Sequence, residues 1–400
     1  MTTVKQGMRV NFSGRGHDFT EEEISAVVDA MRSADPLTQG RYQAEFEDKF
    51  ARWNGGGHCF AVSSCTAALE LSALLCNLKH GDEVILPAHT FCATAIPFAR
   101  TGAKLVWADI DPDTRIVSAQ TILPLITKHT KVIIAVHLYG LMAPMPEIMK
   151  LAREHDLKVV EDCAQAPGAS IEGVKSGNFG DFACFSFHTH KNMTTLGEGG
   201  MLVVKDAKTA KLVPGLRHNG IRGFDFKRER YWVPAMSNVD FDIDLLWPYN
   251  FCIGEIQCAL GSKLLDRIDA MNAERNKRAV SFMKSLEAYP ELIFQKVPKG
   301  YFHCYHLLSA MYQDKGRLKT NHDFIEIMWN EYGIKCVVQY HPLYRYPMFV
   351  KAGFGKAKCP NTDRFFDNMV SFPFHHWIKE DETDYMLECT KGTIERLRKG

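Results

Sequence analysis

The segment Phe185–Asn192 reads FSFHTHKN, and the segment Gly197–Gly200 shortly after it reads GEGG. Together they place Lys191 at the end of an apolar, strand-like run, with a glycine-rich turn behind it. A lysine there is expected to be desolvated, and burial disfavours its ammonium form, so its pKa falls and a neutral amine nucleophile becomes available. Schiff-base chemistry on an aldehyde cofactor needs such an amine. A single lysine is more often a solvated surface charge, so the prediction rests on the motifs around it.

Strand-like runs alternate with helical patterns through the first two-thirds of the chain. Several runs are continuous Val, Ile, Leu and Phe, as expected of strands covered on both faces. The alternation predicts an α/β fold with a mostly parallel central sheet. The predicted strands are His58–Ser64, Glu83–Ala88, Lys104–Asp109, Lys131–Leu138, Leu157–Glu161, Phe182–Phe187 and Met201–Lys205. The predicted helices are Thr66–Leu78, Ala93–Thr101, Ala119–Thr130 and Met145–Asp156.

The pattern changes near Ile253, where one long helical stretch, either continuous or broken, runs to Tyr289. A smaller α+β segment follows, which predicts a large domain over residues 1–265, N-terminal segment included, and a small C-terminal domain over residues 266–400. The elements predicted in the small domain are strands near His306–Tyr312 and Lys335–Tyr340 and helices near Asn321–Tyr332 and Asp381–Arg398.

Composition limits the classes of function. Lys plus Arg number 48 against 47 Asp plus Glu, without a charged block, which disfavours a nucleic-acid or membrane-surface partner. The chain shows neither a signal-peptide pattern nor an apolar run long enough to cross a bilayer, so we expect a cytoplasmic protein. The twelve cysteines form no Cys-x-x-Cys pair, which favours reduced, buried thiols and predicts no metal site.

Two strand ends carry polar groups suited to a flat, anionic cofactor. Val62–Glu70 reads VSSCTAALE, a strand entering a helix whose free N–H groups and dipole form an anion site; simple N-capping is the alternative. Leu157–Gln165 reads LKVVEDCAQ and ends its strand with Glu161 and Asp162. Ligands of open α/β sheets bind at such ends, and a carboxylate there can hold a protonated pyridine nitrogen. Adjacent strand residues point to opposite faces, so only one of the two can do so; a helix cap or salt bridge is the alternative.

A third strand end carries Phe91, within the segment Pro87–Thr94. Its ring is able to stack on a heteroaromatic ring, and a plain core position is the alternative. The chain contains no Gly-x-Gly-x-x-Gly and no P-loop, so neither a nicotinamide fingerprint nor a nucleotide triphosphate loop is supported.

Taken in order, these motifs resemble the DegT/StrS sugar aminotransferase family of fold-type I pyridoxal-phosphate enzymes. The resemblance runs from about Phe19 to the C-terminus and is strengthened by Gly81–Ile85, His137–Gly140, Arg217–Gly220 and Tyr249–Phe251. It implies the fold-type I transferase architecture, in which helices cover both faces of the mostly parallel sheet and a smaller C-terminal α+β domain follows. It also implies pyridoxal 5′-phosphate as cofactor and a homodimer with shared active sites.

The resemblance assigns roles position by position. Lys191 falls on the Schiff-base lysine, Asp162 on the carboxylate at the pyridine nitrogen, and Gln165 on the residue near the ring hydroxyl. The remaining positions are the stacking ring Phe91, the phosphate binders Thr66, Ala67 and Ser186, and Asn250, which the neighbouring subunit lends to the phosphate. His188 and His341 are candidate substrate contacts, with structural packing or polar lining as the alternative.

Some positions depart from the family pattern. Cys65 stands where Gly or Ala is usual, and Cys252 stands where Arg commonly follows Tyr-Asn-Phe, which removes a bidentate grip on a substrate anion. His190 beside the lysine is unusual too. The retained Lys191 favours amino transfer over the dehydration of a branch that carries histidine there. Residues 224–244, charged and aromatic, are predicted to form a substrate-facing loop.

The resemblance implies transfer of an amino group from glutamate or glutamine to a keto group of a nucleotide-linked deoxy sugar. Such a reaction serves amino-sugar and surface-polysaccharide biosynthesis, for example of lipopolysaccharide O-antigen. Two alternatives stay open. One is aminotransfer to a ketone without a nucleotide, such as a cyclitol or sugar acid, which the absent arginine at position 252 favours. The other is a non-catalytic regulator that binds pyridoxal phosphate.

Overall fold

The computed structural model describes residues 7–12, 17–221, 243, 246–314, 316 and 319–399. The predicted loop over residues 224–244 lies outside them except for Ile243. The described helices are α1 Glu21–Ser33, α2 Arg41–Asn54, α3 Cys65–Leu75, α4 Ile96–Arg100, α5 Ala119–Ile122, α6 Met145–Glu154, α7 Ala207–Ala210, α8 Val213–Leu216, α9 Glu255–Leu264, α10 Ile268–Lys284, α11 Asn321–Asn330, α12 Pro347–Lys351, α13 Pro360–Asp367 and α14 Glu380–Lys399. The described strands are β1 His58–Val62, β2 Glu83–Pro87, β3 Lys104–Ala108, β4 Thr130–Val136, β5 Lys158–Asp162, β6 Ser170–Ile171, β7 Val174–Lys175, β8 Phe182–Ser186, β9 Gly200–Val204, β10 Leu292–Phe294, β11 Tyr301–Phe302, β12 Leu308–Tyr312 and β13 Met369–Phe372.

A seven-stranded sheet in the order β1-β9-β8-β5-β4-β2-β3 forms the centre of the molecule. β9 runs antiparallel to both of its neighbours, and every other neighbouring pair is parallel. β2, β8 and β9 are buried at every residue, as their continuous apolar runs require when both faces are covered. The prediction of a mostly parallel α/β sheet and of its seven strands is confirmed.

Three of the predicted helices are present, but the one predicted over Ala119–Thr130 is much shorter. It ends at Ile122 and continues as a 3₁₀ turn to Leu125. Pro124 has no backbone N–H to continue the helix. Thr127 and Thr130 then close a turn through two hydrogen bonds of 2.9 and 3.1 Å, and β4 starts at Thr130.

The C-terminal part contains a second sheet of three antiparallel strands in the order β10-β12-β13, covered by α11 and α14. The strand predicted over Lys335–Tyr340 is wrong. Val337 alone makes an isolated bridge there, to Ser371 of β13, before the chain leads into the cavity described below at Tyr340.

The long helical stretch predicted from Ile253 is two helices, α9 and α10, separated by a turn at residues 265–267. We propose that this turn divides the large domain, residues 1–265, from the small domain, residues 266–400. Part of the N-terminal segment nevertheless packs on the second unit, because Val10 pairs with Ile334. Among the described helices, none is both long enough and apolar enough to cross a membrane.

Candidate active site

Lys191 follows β8 by five residues and points into a cavity of about 430 Å³. Its backbone is fixed at both ends: its N–H donates to the carbonyl of His188 at 2.9 Å, and its carbonyl accepts from Nε2 of His17 at 2.9 Å. Desolvation lowers the pKa of Lys191, while the nearby carboxylate of Asp162 opposes the shift. The burial that the sequence predicts for Lys191 is therefore observed, and its role as the amine nucleophile stays a prediction.

The cavity brings together most of the residues that the sequence assigns to the site. They come from the ends of β5 and β8, from the start of α3 and from the loop after β2. The predicted residues that line it are Thr66, Phe91, Asp162, Gln165, Ser186, His188 and Lys191. Ala67, Asn250 and His341 are absent from its described lining. Their assigned roles stay predictions.

One end of the cavity is suited to a phosphate. Ser64 caps α3 by accepting the N–H of Ala67 at 3.1 Å, which occupies that N–H. No hydrogen bond among the described residues uses the N–H groups of Cys65 and Thr66. Free N–H groups at the positive end of a helix bind anions, and the hydroxyl of Ser186 adds a further donor. These residues fit the phosphate of pyridoxal phosphate.

Gly200 lets β9 lie against this helix start. A Cβ at position 200 would lie 2.5 Å from the carbonyl carbon of Ser64 and 2.6 Å from the nitrogen of Cys65. We expect Gly200→Ala to displace the phosphate-binding backbone, to lower turnover about 10²-fold, and to cause loss of the cofactor on gel filtration. The measurement is the cofactor absorbance before and after filtration, together with kcat.

A matched control for this substitution is Gly392→Ala on α14. The Cβ there has one described neighbour within 4 Å, the hydroxyl of Tyr332 at 3.5 Å. We expect this variant to keep its cofactor and to gain about 0.5–1 kcal/mol in free energy of unfolding, because alanine loses less conformational entropy in a helix. Equal cofactor loss in the two variants would contradict a local role for Gly200.

The two carboxylates at the end of β5 point to opposite faces, as predicted. Asp162 lines the cavity, and its oxygens accept from the hydroxyl of Thr94 at 2.7 Å and the N–H of Ala164 at 3.1 Å. Glu161 is fully buried on the other face and accepts from Nε2 of His137 at 2.9 Å. Only Asp162 is therefore placed to meet a pyridine nitrogen.

Glu161 belongs to a satisfied internal network. It accepts the N–H groups of Gly177, Phe179 and Gly180 at 2.7–3.0 Å. Burial alone would raise the pKa of Glu161, but the bonds from His137 and from these backbone groups outweigh it and lower the pKa.

His137, Glu161 and Cys163 form a group with spacing short enough for a metal, within the described part of the chain. Nδ1 of His137 accepts the N–H of Ala143 at 3.1 Å, so Nε2 carries the proton that it donates to Glu161. Because both ring nitrogens are committed, this group acts as a structural hydrogen-bond pair rather than as a metal centre.

Gln165 is held by Tyr139 and Tyr340, two residues to which the sequence assigned no individual role. Its Oε1 accepts the N–H of Tyr139 at 2.8 Å, and its Nε2 donates to the hydroxyl of Tyr340 at 3.1 Å. The hydroxyl of Tyr139 contacts Nε2 of His89 at 2.7 Å and donates to the carbonyl of Gln339 at 2.9 Å. These bonds fix the amide that faces the cavity and tie it to the C-terminal part.

The histidines near the lysine differ in position. His188 lines the cavity with its ring 3.7 Å from the carboxylate of Glu198, and His190 packs against it with ring centroids 5.2 Å apart. His341 lies exposed, against Tyr346 and Phe366. The cavity is also lined by His306, His376 and Arg275, which the sequence did not indicate. The adjacent pair His375-His376 after β13 is the signal that would have pointed to His376.

Both the sequence and the fold match known proteins. The profile of the DegT/DnrJ/EryC1/StrS aminotransferase family matches residues 17–391. The chain belongs to this family. It is an aminotransferase, and the family depends on pyridoxal phosphate. The family resemblance and the fold-type I architecture read from the sequence are thereby confirmed.

Individual relatives agree over nearly full length. The chain is 33% identical to a UDP-N-acetyl-3-dehydro-alpha-D-glucosamine 3-aminotransferase of Acidithiobacillus ferrooxidans, over 93% of this chain and 94% of that protein. An aminotransferase from Psychrobacter cryohalolentis superposes with a TM-score of 0.88 at 26% identity, over 97% of this chain and 100% of the other. The sugar aminotransferase Spr1654 of Streptococcus pneumoniae, described as putative and solved in its PMP form, gives 0.84 at 26% identity, over 97% and 100%.

Proposed function

We propose that this protein uses pyridoxal phosphate to move an amino group from glutamate or glutamine to a keto group of a nucleotide-linked sugar. The observation that carries the proposal is the meeting, in one cavity, of a desolvated Lys191 and the hydrogen-bonded carboxylate of Asp162. An electron-sink cofactor requires both groups, and a passive binder requires neither.

Each residue has a definite task in this proposal. When bound, pyridoxal phosphate supplies an aldehyde and a ring that accepts electrons. The N–H groups of Cys65 and Thr66 and the hydroxyl of Ser186 hold the phosphate. Asp162 holds the ring nitrogen protonated, and Phe91, 53% exposed in the cavity, stacks on the ring.

Lys191 would be the group that accepts the proton released by the carbon of the amino donor and that later delivers a proton to the carbon of the ketone, while the bound cofactor would accept the electrons. General acid–base transfer of this kind contributes roughly 10²–10⁴-fold to a rate. The fixed backbone of Lys191 would hold its amine in one position for both proton transfers, which is an orientation effect.

The name of the UDP-sugar relative supports a nucleotide-linked ketone as substrate, and with it a role in amino-sugar and surface-polysaccharide biosynthesis. One observation favours the second candidate, a ketone without a nucleotide. The thiol of Cys252 supplies no cation, and the nearby Arg217 is 5% exposed, with its Nη1 committed to Glu47 at 2.6 Å and to the carbonyl of Ala61 at 2.8 Å.

A panel of amino sugars, with and without a nucleotide, tested in the reverse direction separates these candidates. The proposed function predicts that 2-oxoglutarate and an amino-sugar nucleotide give glutamate and a keto sugar. Turnover with free amino sugars or amino cyclitols alone would favour the second candidate. A protein that holds its cofactor but converts no donor, glutamate included, would be a regulator.

We also propose a homodimer in which Asn250 of one subunit contacts the cofactor phosphate held by the other. Asn250 is exposed and lies beside two further exposed side chains, Trp247 and Tyr249. The segment is nevertheless fixed in place, because the carbonyl of Phe251 accepts the N–H of Ser63 at 2.9 Å next to the phosphate end. An ordered, exposed segment of this kind suits an interface.

Mixed dimers test the shared site. A dimer with Asn250→Ala on one subunit and Lys191→Ala on the other should keep one intact site and about half of the activity of the wild-type dimer, as two-fold symmetry requires. The measurement is kcat of doubly tagged, purified heterodimers. Activity no higher than that of the Asn250→Ala homodimer would show that the asparagine serves its own subunit.

A further inference from the structure

One wall of the cavity is formed by α10 and the loops after β11 and β13, and it contains a buried arginine. Arg275 is 4% exposed. Its Nε and Nη2 donate to the carbonyls of Tyr305, His306 and Phe374 at 2.5–3.2 Å. None of its hydrogen bonds with the described residues uses Nη1.

Arg275 also has no carboxylate partner within the described part of the chain. The neighbouring Arg278 is different, since it pairs with Glu274 at 2.5 Å. Burying a cation without a counter-charge is costly, and here the cation borders a cavity. An anionic group of a ligand would supply the missing charge.

His376 lies on the same wall and also lacks a partner. Its Nε2 is buried and makes no hydrogen bond in the described part of the chain, although buried polar atoms are normally paired. Burial, with a smaller contribution from His17, lowers the pKa of His376 to about 2. The ring is therefore neutral at pH 7 and can present one N–H to the cavity.

Two hydrogen bonds connect this wall to Asn192, the residue next to the reactive lysine. Nη2 of Arg275 donates to the carbonyl of His306 at 2.8 Å, and Nδ1 of His306 contacts Oδ1 of Asn192 at 3.3 Å. Asn192 directly follows Lys191. In an α-amino acid the amine and the carboxylate are attached to the same carbon. When the amine of such a donor reacts beside Lys191, its carboxylate therefore requires an anion site close by.

We propose that Arg275 and His376 form the subsite for the α-carboxylate of the amino donor. This rests on the proposed function and names the group that recognises one of its two substrates. The unused Nη1 of Arg275 and one imidazole N–H match a single carboxylate, which accepts two hydrogen bonds side by side.

The test uses holoenzyme loaded with pyridoxal phosphate and two probes that cannot react. Glutarate carries carboxylates without an amine, and UDP carries a diphosphate without a carboxylate. By titration calorimetry, we expect His376→Phe to weaken glutarate binding about 10-fold, the loss of one hydrogen bond to a charged group. Arg275→Lys should weaken it further, and His376→Asn, which keeps a donor, should bind close to wild type.

The matched control is His322→Phe, an exposed histidine on α11 in the same part of the chain. It should leave glutarate binding unchanged, and none of the variants should alter UDP binding. Equal glutarate affinity in wild type and His376→Phe, or loss of UDP binding with glutarate binding retained, would overturn the assignment. If His376→Phe does not fold, the comparison of Arg275→Lys with wild type decides it alone.

A single-turnover experiment separates the subsite from the proposed function. Conversion of the cofactor to its amine form is followed with subsaturating glutamate and with propan-2-amine, which lacks a carboxylate. We expect His376→Phe to slow the reaction of glutamate about 10-fold and to leave that of propan-2-amine unchanged. Equal slowing of both would reject a carboxylate site. If wild type converts neither amine, the proposed function fails, and glutarate binding still tests the subsite.

Discussion

Replacing Lys191 with alanine is expected to abolish turnover and to remove the absorbance of the lysine-bound cofactor. The substitution deletes both the amine that binds the aldehyde and the group that moves the proton. We expect kcat to fall by at least about 10⁴-fold, the upper end of what acid–base catalysis alone contributes. The measurements are kcat with a saturating donor and the visible spectrum of the purified protein.

Borohydride reduction provides the direct chemical readout for this prediction. Reduction of the wild-type holoenzyme should fix the cofactor on the peptide that contains residue 191. Lys205→Ala is a suitable control, since that lysine is exposed and its Nζ makes one hydrogen bond with the described residues, to the carbonyl of Phe179 at 3.4 Å. A label on any other peptide, or a coloured and active Lys191→Ala protein, would refute the assignment.

The central sheet was predictable because each parallel strand is covered on both faces and is therefore a continuous apolar run. Such a run, for example in β8, can be distinguished from the surrounding helices by its sequence pattern alone, without any knowledge of tertiary contacts. Helix α1 was also readable, since Thr20 and Glu23 form a capping box, but the sequence interpretation did not use that signal.

The two errors in the predicted elements have different causes, one a distant contact and the other a local proline. The Lys335–Tyr340 segment has strand-like composition, yet among the described residues its backbone pairs with the backbone of β13 only at Val337, and Tyr340 then lines the cavity. The helix expected from Ala119 ends early because of one proline. A sequence pattern reports the intrinsic strand propensity of a segment. Whether the segment joins a β-ladder depends on partner strands more than 30 residues away along the chain.

The residues of the candidate site also fall into two groups, those whose proximity the sequence predicts and those whose proximity it does not. Lys191, Asp162 and Gln165 stand at strand ends or just beyond them, where the topology of an α/β sheet gathers ligands, so their proximity could be predicted. Arg275 and His376 lie on elements of the C-terminal part, more than 80 residues from Lys191 along the chain. Only the packing of α10 and the segment after β13 against the sheet reveals that they share its cavity.

Asp162 and Glu161 are neighbouring carboxylates on β5, so the effect of replacing Asp162 on turnover can be separated from an effect on stability. Asp162→Asn keeps the shape and the bond with Thr94, but it removes the negative charge that would keep a ring nitrogen protonated. We expect kcat to fall about 10³-fold, the size of the loss of one preorganised electrostatic partner. The melting temperature should stay close to that of wild type, since Asp162 borders the cavity.

Glu161→Gln is the matched control, one residue earlier on the same strand and on the opposite face. It breaks a fully buried pair with His137 and replaces an acceptor of three backbone N–H groups. We expect a loss of about 3 kcal/mol in free energy of unfolding, with kcat of the folded fraction nearly unchanged. The two substitutions make the same chemical change, carboxylate to amide, on opposite faces of the sheet. A fall in kcat for Glu161→Gln with none for Asp162→Asn would therefore place the cofactor on the other side of the sheet.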